Sequence, residues 1–306
     1  MTSLADTLIA LKPIHTGIQL IRIGGNQDGA YLCPNDLEGI TKCISPGGSN
    51  RKLFEDDLWN NFGISSVIVD KSSSPEGFTT PMHPGQRLIQ KWLVPFDTDK
   101  GICIQSLLNS SLVNSTGDLL LQMDIEGAEY QNLASWSDEI FDRFRIVVIE
   151  LHSLELIMLP WRKNSRLIRK AIKKLTLNHV CIHSHPNNCC GSFIVPGTSI
   201  EIPRVLECTF LRRDRLQGTN HKIRSQESHI GEFPHPLDVV NHPEKPNLVL
   251  NKIWILPDCY FKNELHKARF KRYVFMAQWI VGDMIRKLRG EGSHPLATAL
   301  KSRSKV

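Results

Sequence analysis

Three carboxylates, Asp124, Glu126 and Glu129, close around Gly127 directly after the apolar run LLLQM of residues 119 to 123. Side chains along a strand alternate, so Asp124 and Glu126 are expected to share one orientation at its carboxyl end. Glu150 and His152 form a second such pair in FRIVVIELH, and His183 and His185 a third in HVCIHSHPNN. Imidazole beside carboxylate serves acid–base chemistry and metal ligation alike. The spacings match no specific metal signature, so no bound metal is expected. His152, His183 and His185, with Glu150, are the candidates for proton transfer or substrate contact. Glu129, one turn into the next helix, is read as serving the helix N-terminus.

A second group of candidates lies on turns. Gly47 and Gly48 in SPGGSN permit close backbone approach to a ligand, next to the amides of a following helix. Asp70 ends the run VIVD, where nucleoside-binding Rossmann folds hold a ribose; a plain turn or cap aspartate fits the same spacing. In IGGNQDGAYL, Asp28 sits among Gly24, Gly25 and Gly29, which reads either as a tight turn with a solvated acid or as a loop folded over a ligand.

The elements that must position these residues alternate along the chain. TKCISPGG, ISSVIVD, RLIQKWLVP, GDLLLQMDIEG, FRIVVIELH, HVCIHSHPNN and RVLECTFLRR read as strands. KLFEDDLWNNFG, ICIQSLLNSSL, AEYQNLASW and NSRLIRKAIKKLTLN read as helices between them. This alternation predicts an α/β, Rossmann-like, mostly parallel seven-stranded sheet. Only the turn-rich NNCCGSFIVPGTSIEIP separates the last two strands, which are therefore expected to pair as an antiparallel edge hairpin. Ligands in such sheets bind beyond the carboxyl ends of the strands, the rim where the candidate residues gather. Residues 216 to 247 read as a long loop, NLVLNKIWILP as an added strand, and residues 262 to 289 as a helix with an apolar stripe.

The chain has 306 residues, 41% of them hydrophobic, enough for a full core. Its net charge of +6 is concentrated after residue 250, where twelve Lys or Arg face four acids. A nucleic-acid partner is therefore not expected for the main domain. Eight cysteines without a CxxC pair, no signal-like start and no long apolar run favour a cytoplasmic protein without a membrane span. The basic C-terminal helix leaves weak contact with an anionic surface open.

LLLQMDIEGAEYQNL resembles the hallmark of FkbM-type S-adenosylmethionine-dependent methyltransferases. RIGGNQDGAYL, FEDDL, VIVD, VIELH, HSHPNN, IPRVLECTF and FPHPLD follow in the order such proteins present them. The resemblance covers residues 21 to 257 as a methyltransferase domain, leaving an N-terminal extension (1–20) and a basic helical C-terminal one (258–306). It implies the class I methyltransferase fold and methylation of a hydroxyl on a sugar or small metabolite. By position, Gly47 and Gly48 would face the methionine part of S-adenosylmethionine, Asp70 its ribose, and Asp124 and Glu126 the cofactor and substrate. CISPGGSN lacks the full glycine spacing and the acid that usually precedes it, so Glu55 or Asp28 would supply the missing carboxylate. A nicotinamide-dependent oxidoreductase also suits Asp70 but lacks the GxGxxG turn. A non-catalytic binding protein with a degenerate methyltransferase fold also fits the altered loop.

Overall fold

The computed structural model describes residues 3–113, 116–159, 163–216 and 234–289. Seven strands form its central sheet: β1 (Ile40–Pro46), β2 (Ser65–Val69), β3 (Gln86–Ile89), β4 (Asp118–Met123), β5 (Phe144–His152), β6 (His179–Pro186) and β7 (Val205–Arg212). Their spatial order is β6-β7-β5-β4-β1-β2-β3. β7 runs antiparallel to both β6 and β5, while the remaining pairs are parallel. The expected antiparallel hairpin is thus present at one edge, with β6 outermost and β7 slotted between it and β5. Connections leave β1 towards β3 on one side and resume at β4 on the other, so the topological switch falls between β1 and β4.

Both faces of the sheet are covered, which explains strands that are apolar almost throughout. Leu119, Leu121 and Met123 enter the larger core cluster with Phe144, Val147 and Ile149; Leu120, Ile146 and Val148 enter the smaller one opposite. The larger cluster is covered by α1 (Leu4–Ile9), α3 (Ile104–Asn109), α4 (Glu129–Ser135), α5 (Asp138–Asp142), α6 (Lys163–Asn178) and α7 (Asp258–Lys267). On the other face lie α2 (Leu53–Phe62) and a hairpin of Leu20–Ile23 with Tyr31–Pro34. Gly63, at φ 67, ends α2 in the left-handed conformation that glycine adopts without a Cβ penalty.

The chain's two end regions pack into the same core. Leu4, Leu8 and Leu11 share the larger cluster with Trp254, Phe261 and Leu265. Lys12 donates to the Leu256 carbonyl at 2.5 Å and to Asp258 at 2.8 Å.

Three expected elements differ. RLIQKWLVP is not one strand: β3 ends at Ile89, and Trp92–Leu93 pairs with Gly101–Ile102 in a separate two-stranded sheet. NLVLNKIWILP adds no strand: a cavity of about 100 Å³ lies between Leu248 and Leu250 and the edge-strand residues Ser184 to Pro186. Instead the chain makes a short 3-10 turn, Lys252–Trp254, anchored by the Trp254 indole donating to the Glu201 carbonyl. The helix read over 262–289 is two helices, α7 and α8 (Arg269–Leu288), with an elbow at the buried Ala268. No helix among the described residues is long and apolar enough to cross a membrane. Of the long loop, residues 217–233 lie outside the described residues; 234–247 form neither helix nor strand.

Candidate active site

The site rests on the smaller-core face, at the carboxyl ends of β4 and β5. There the alternation that buries Leu120 and Val148 carries Gln122, Glu150 and His152 to the same side. β4 stops at Met123, and Glu126 and Gly127 take positive φ values of 56° and 101°. Asp124 and Glu126 therefore belong to a turn and not to a continued strand. The turn nevertheless brings both to one place, with Asp124 Oδ1 3.8 Å and Glu126 Oε2 3.7 Å from His152 Nε2. Glu150 Oε1 lies 4.0 Å from the same nitrogen.

Glu129 is the residue that organises this arrangement. Its side chain is fully buried, and Oε1 accepts from the amides of Ile125 at 3.1 Å and Gly127 at 3.0 Å. The same oxygen meets His152 Nδ1 at 3.0 Å. Glu129 thus ties down the acidic turn and fixes the imidazole with its Nδ1 proton towards the carboxylate and its Nε2 towards the cleft. The reading of Glu129 as a helix-terminus residue captured only the first task. No sequence spacing links it to a histidine on the next strand; the parallel pairing of β4 with β5 does.

The charges in this cluster shift one another. Burial opposes protonation of His152, but the hydrogen bond and charge of Glu129, with Asp124 and Glu126, prevail and raise its pKa to about 9. Burial, helped by Glu129 and Glu126 and opposed by His152, lifts Asp124 to about 6. Glu150 is pushed well up by burial first and then by Asp124, Glu207 and Asp28. Asn187 donates to Glu150 at 2.9 Å. Single donor atoms of Asp124, Glu150 and His152 lie within 4.8 Å of one another, a spacing that can hold a metal ion.

His183 and His185 do not join this group. They project from β6 towards the returning segment, where Asp238 meets His183 Nε2 at 2.9 Å and His185 Nδ1 at 3.7 Å, the latter an ion-pair distance. Burial lowers the pKa of His183; His185 is raised, because Asp238 and Glu207 outweigh its burial. The two imidazoles hold Asp238 well below the usual carboxylate range despite its burial. Asn241 bridges Glu207 at 2.5 Å and Asp28 at 3.1 Å. The Asp28 loop therefore does fold back over the strand ends. Its carboxylate also meets Asn187 at 3.4 Å, on the Glu150 side of the cleft.

At the switch point the glycine-rich loop has structural duties. Gly47 has φ 92°, and a Cβ there would stand 1.6 Å from the Asp124 carbonyl oxygen. Glycine is needed because the ends of β1 and β4 touch. Asp70 is buried, and its carboxylate accepts from the amides of Gly48, Ser49 and Ser72 and from the Ser72 hydroxyl. Those four donors fill its lone-pair directions, so Asp70 shapes the loop, and a ribose would have to replace one of them. Glu55, from α2, reaches the Ser45 hydroxyl, which also lies 2.8 Å from Gln122 Oε1. Ser45 stands where the strand-end acid is missing from the sequence, and Glu55 brings a carboxylate to that spot. Burial raises Glu55 to about 7, opposed by the Ser45 hydroxyl. In comparisons with known proteins, no family model and no curated protein matches the chain.

Proposed function

We propose that this protein is an S-adenosylmethionine-dependent O-methyltransferase of the FkbM type, acting on a hydroxyl of a sugar or small metabolite. The observation that carries the reading is the sheet order, with one antiparallel strand between β5 and β6 and the buried acids at the carboxyl ends of β4 and β5 beside the switch point. That variant of the Rossmann architecture is associated with methyl transfer, and the DIEGAEY turn supplies its acids.

In this reading the cofactor lies along the Gly47–Gly48 loop, its ammonium towards Glu55 and its ribose over the Asp70-supported turn. Asp124 and Glu126 present negative charge to the sulfonium. The acceptor oxygen enters between Asp124, Glu150 and the Nε2 of His152, in line with the methyl carbon and sulfur. S-adenosylmethionine would supply the methyl group as a sulfonium: the carbon–oxygen bond would form as the carbon–sulfur bond breaks, with sulfur keeping the electron pair as a neutral thioether. The hydroxyl proton passes to the carboxylate–imidazole cluster, whose most exposed member, Glu126, returns it to solvent. His183 takes no part, its Nε2 being engaged by Asp238.

Calorimetric titration with S-adenosylhomocysteine tests the reading. Saturable binding, weakened at least tenfold by Glu55→Ala or Asp124→Ala, is expected. Absence of binding to folded protein, or both variants matching the unaltered chain, would refute it.

A further inference from the structure

Three donor atoms of two chemical kinds converge at the ends of β4 and β5, and the groups behind them hold them there. From this we infer that Asp124, Glu150 and His152 form a binding site for a divalent metal ion of the Mn²⁺ kind.

The first argument is what the cleft leaves unsatisfied. Asp124 Oδ1 is buried and has no hydrogen-bond partner among the described residues. His152 is only 5% exposed, and the atoms facing its Nε2 are carboxylate oxygens at 3.7, 3.8 and 4.0 Å, beyond hydrogen-bond reach. A cleft-facing imidazole nitrogen and a buried carboxylate oxygen are thus aimed at one point without meeting. Ligands bound at about 2.1 Å in adjacent octahedral positions stand roughly 3 Å apart. Closing the observed separations to that value needs movements of less than about 1 Å, within reach of side-chain rotation.

The second argument is the support behind each donor. A metal-binding histidine donates its other ring N–H to a carboxylate, which fixes the tautomer and the ring plane. Glu129 does this for His152 at 3.0 Å and is itself pinned by the Ile125 and Gly127 amides. Asn187 holds Glu150 at 2.9 Å. The backbone of Asp124 is fixed by its amide donating to the Pro46 carbonyl at 3.1 Å, while its side-chain oxygen stays open.

Two carboxylates and one imidazole suit a hard to borderline cation, and the mixed donor set favours Mn²⁺ over Ca²⁺. The three protein ligands leave positions for water and for an oxygen ligand from outside. Resting on the methyl-transfer reading, those positions would take the acceptor hydroxyl. Coordination lowers its pKa, and Glu126 at the rim accepts the proton. The binding of the ion itself does not depend on that reading.

The experiment is a titration of the full chain with Mn²⁺, following loss of the free-ion electron paramagnetic resonance signal. One saturable site per chain is expected. Asp124→Asn and Glu150→Gln should each weaken it at least 100-fold, and Glu129→Gln 10- to 100-fold. His183→Gln should leave it unchanged. Asp124→Asn and Glu150→Gln preserve shape, and circular dichroism checks that each is folded, so either suffices if the other misfolds. No saturable binding below about 1 mM, or binding that the folded variants leave intact, overturns the site. S-adenosylhomocysteine is titrated in parallel with excess chelator. If it binds while Mn²⁺ does not, the metal site alone fails; if Mn²⁺ binds while it does not, methyl transfer alone fails.

Discussion

Two histidine–carboxylate clusters lie on the same face of the sheet, one at the ends of β4 and β5 and one beneath the returning segment at β6 and β7. They draw on the same residue types and differ in how the cleft-facing imidazole nitrogen is held. At Asp238 the Nε2 of His183 closes on the carboxylate at 2.9 Å, His185 stands at the ion-pair distance of 3.7 Å, and Asn241 joins Glu207 to Asp28. Around His152 only the Nδ1 side closes, on Glu129, while Nε2 faces carboxylates it does not touch. The difference teaches that acid and imidazole side by side do not define a reactive site. What matters is whether the last hydrogen-bonding position is filled from within the protein or left for a ligand.

The comparison is broken most forcefully at the closed cluster. Asp238→Ala strands two buried imidazoles and is expected to lower unfolding stability by about 4 kcal/mol. In urea denaturation this should appear with S-adenosylhomocysteine affinity changed less than threefold in the protein that remains folded. A loss of binding with stability retained would place Asp238 in the ligand site and merge the two clusters.

The second effect is set by pH. In metal-free protein the pKa of His152 is about 9, against about 6.5 in an unfolded chain. Between those values the folded state binds the extra proton, so stability falls as pH rises. The stabilisation is fully present below pH 6.5 and is lost through pH 9, an amount of about 3 kcal/mol. His183 runs the other way, its lowered pKa costing stability as pH drops below 6.5. Chemical denaturation from pH 6 to 9.5 should show a larger alkaline loss in the unaltered chain than in His152→Gln, where the raised carboxyls Glu55 and Glu150 still contribute. An equal slope in both would show that the open cluster does not hold the proton.

The smallest effect sharpens the division of labour within the open cluster. Glu129→Gln keeps the shape but removes the charge behind His152. Under the proposed methyl transfer it should reduce the rate 10- to 100-fold, about 1.4–2.7 kcal/mol in transition-state free energy. Steady-state rates with any accepted hydroxyl substrate would measure it, and Glu129→Asp should restore part of the loss. Unchanged rates would reduce Glu129 to a support for the turn.

The strands and most of the helices were readable because each obeys one period and ends at a clear stop, such as Gly63 after α2 or Asp70 after β2. The site was readable by position, since the carboxyl-end rim follows from topology alone. Its internal division was not. Nothing in the spacing of His152, His183 and His185 separates the open Nε2 of His152 from the closed Nε2 of His183, because the deciding partners, Glu129 and Asp238, come from other elements. The glycine loop carries a second duty that its motif does not display: Gly47 is glycine because a neighbouring strand end presses on it, a fact that belongs to the sheet. Asp70 likewise looks like a ribose acid in sequence, yet four protein donors occupy it.

The contact of Lys12 with Asp258 joins residues 246 positions apart in the chain, and this orders events during synthesis. α1 has six residues, too few to persist as a helix without packing partners. Its core neighbours Trp254, Phe261 and Leu265 leave the ribosome about 250 residues later. At ~5–20 residues per second, α1 waits roughly 10–50 s for the surface it docks on. α1 therefore settles late, and a nascent chain paused before residue 254 leaves Leu4, Leu8 and Leu11 without those partners.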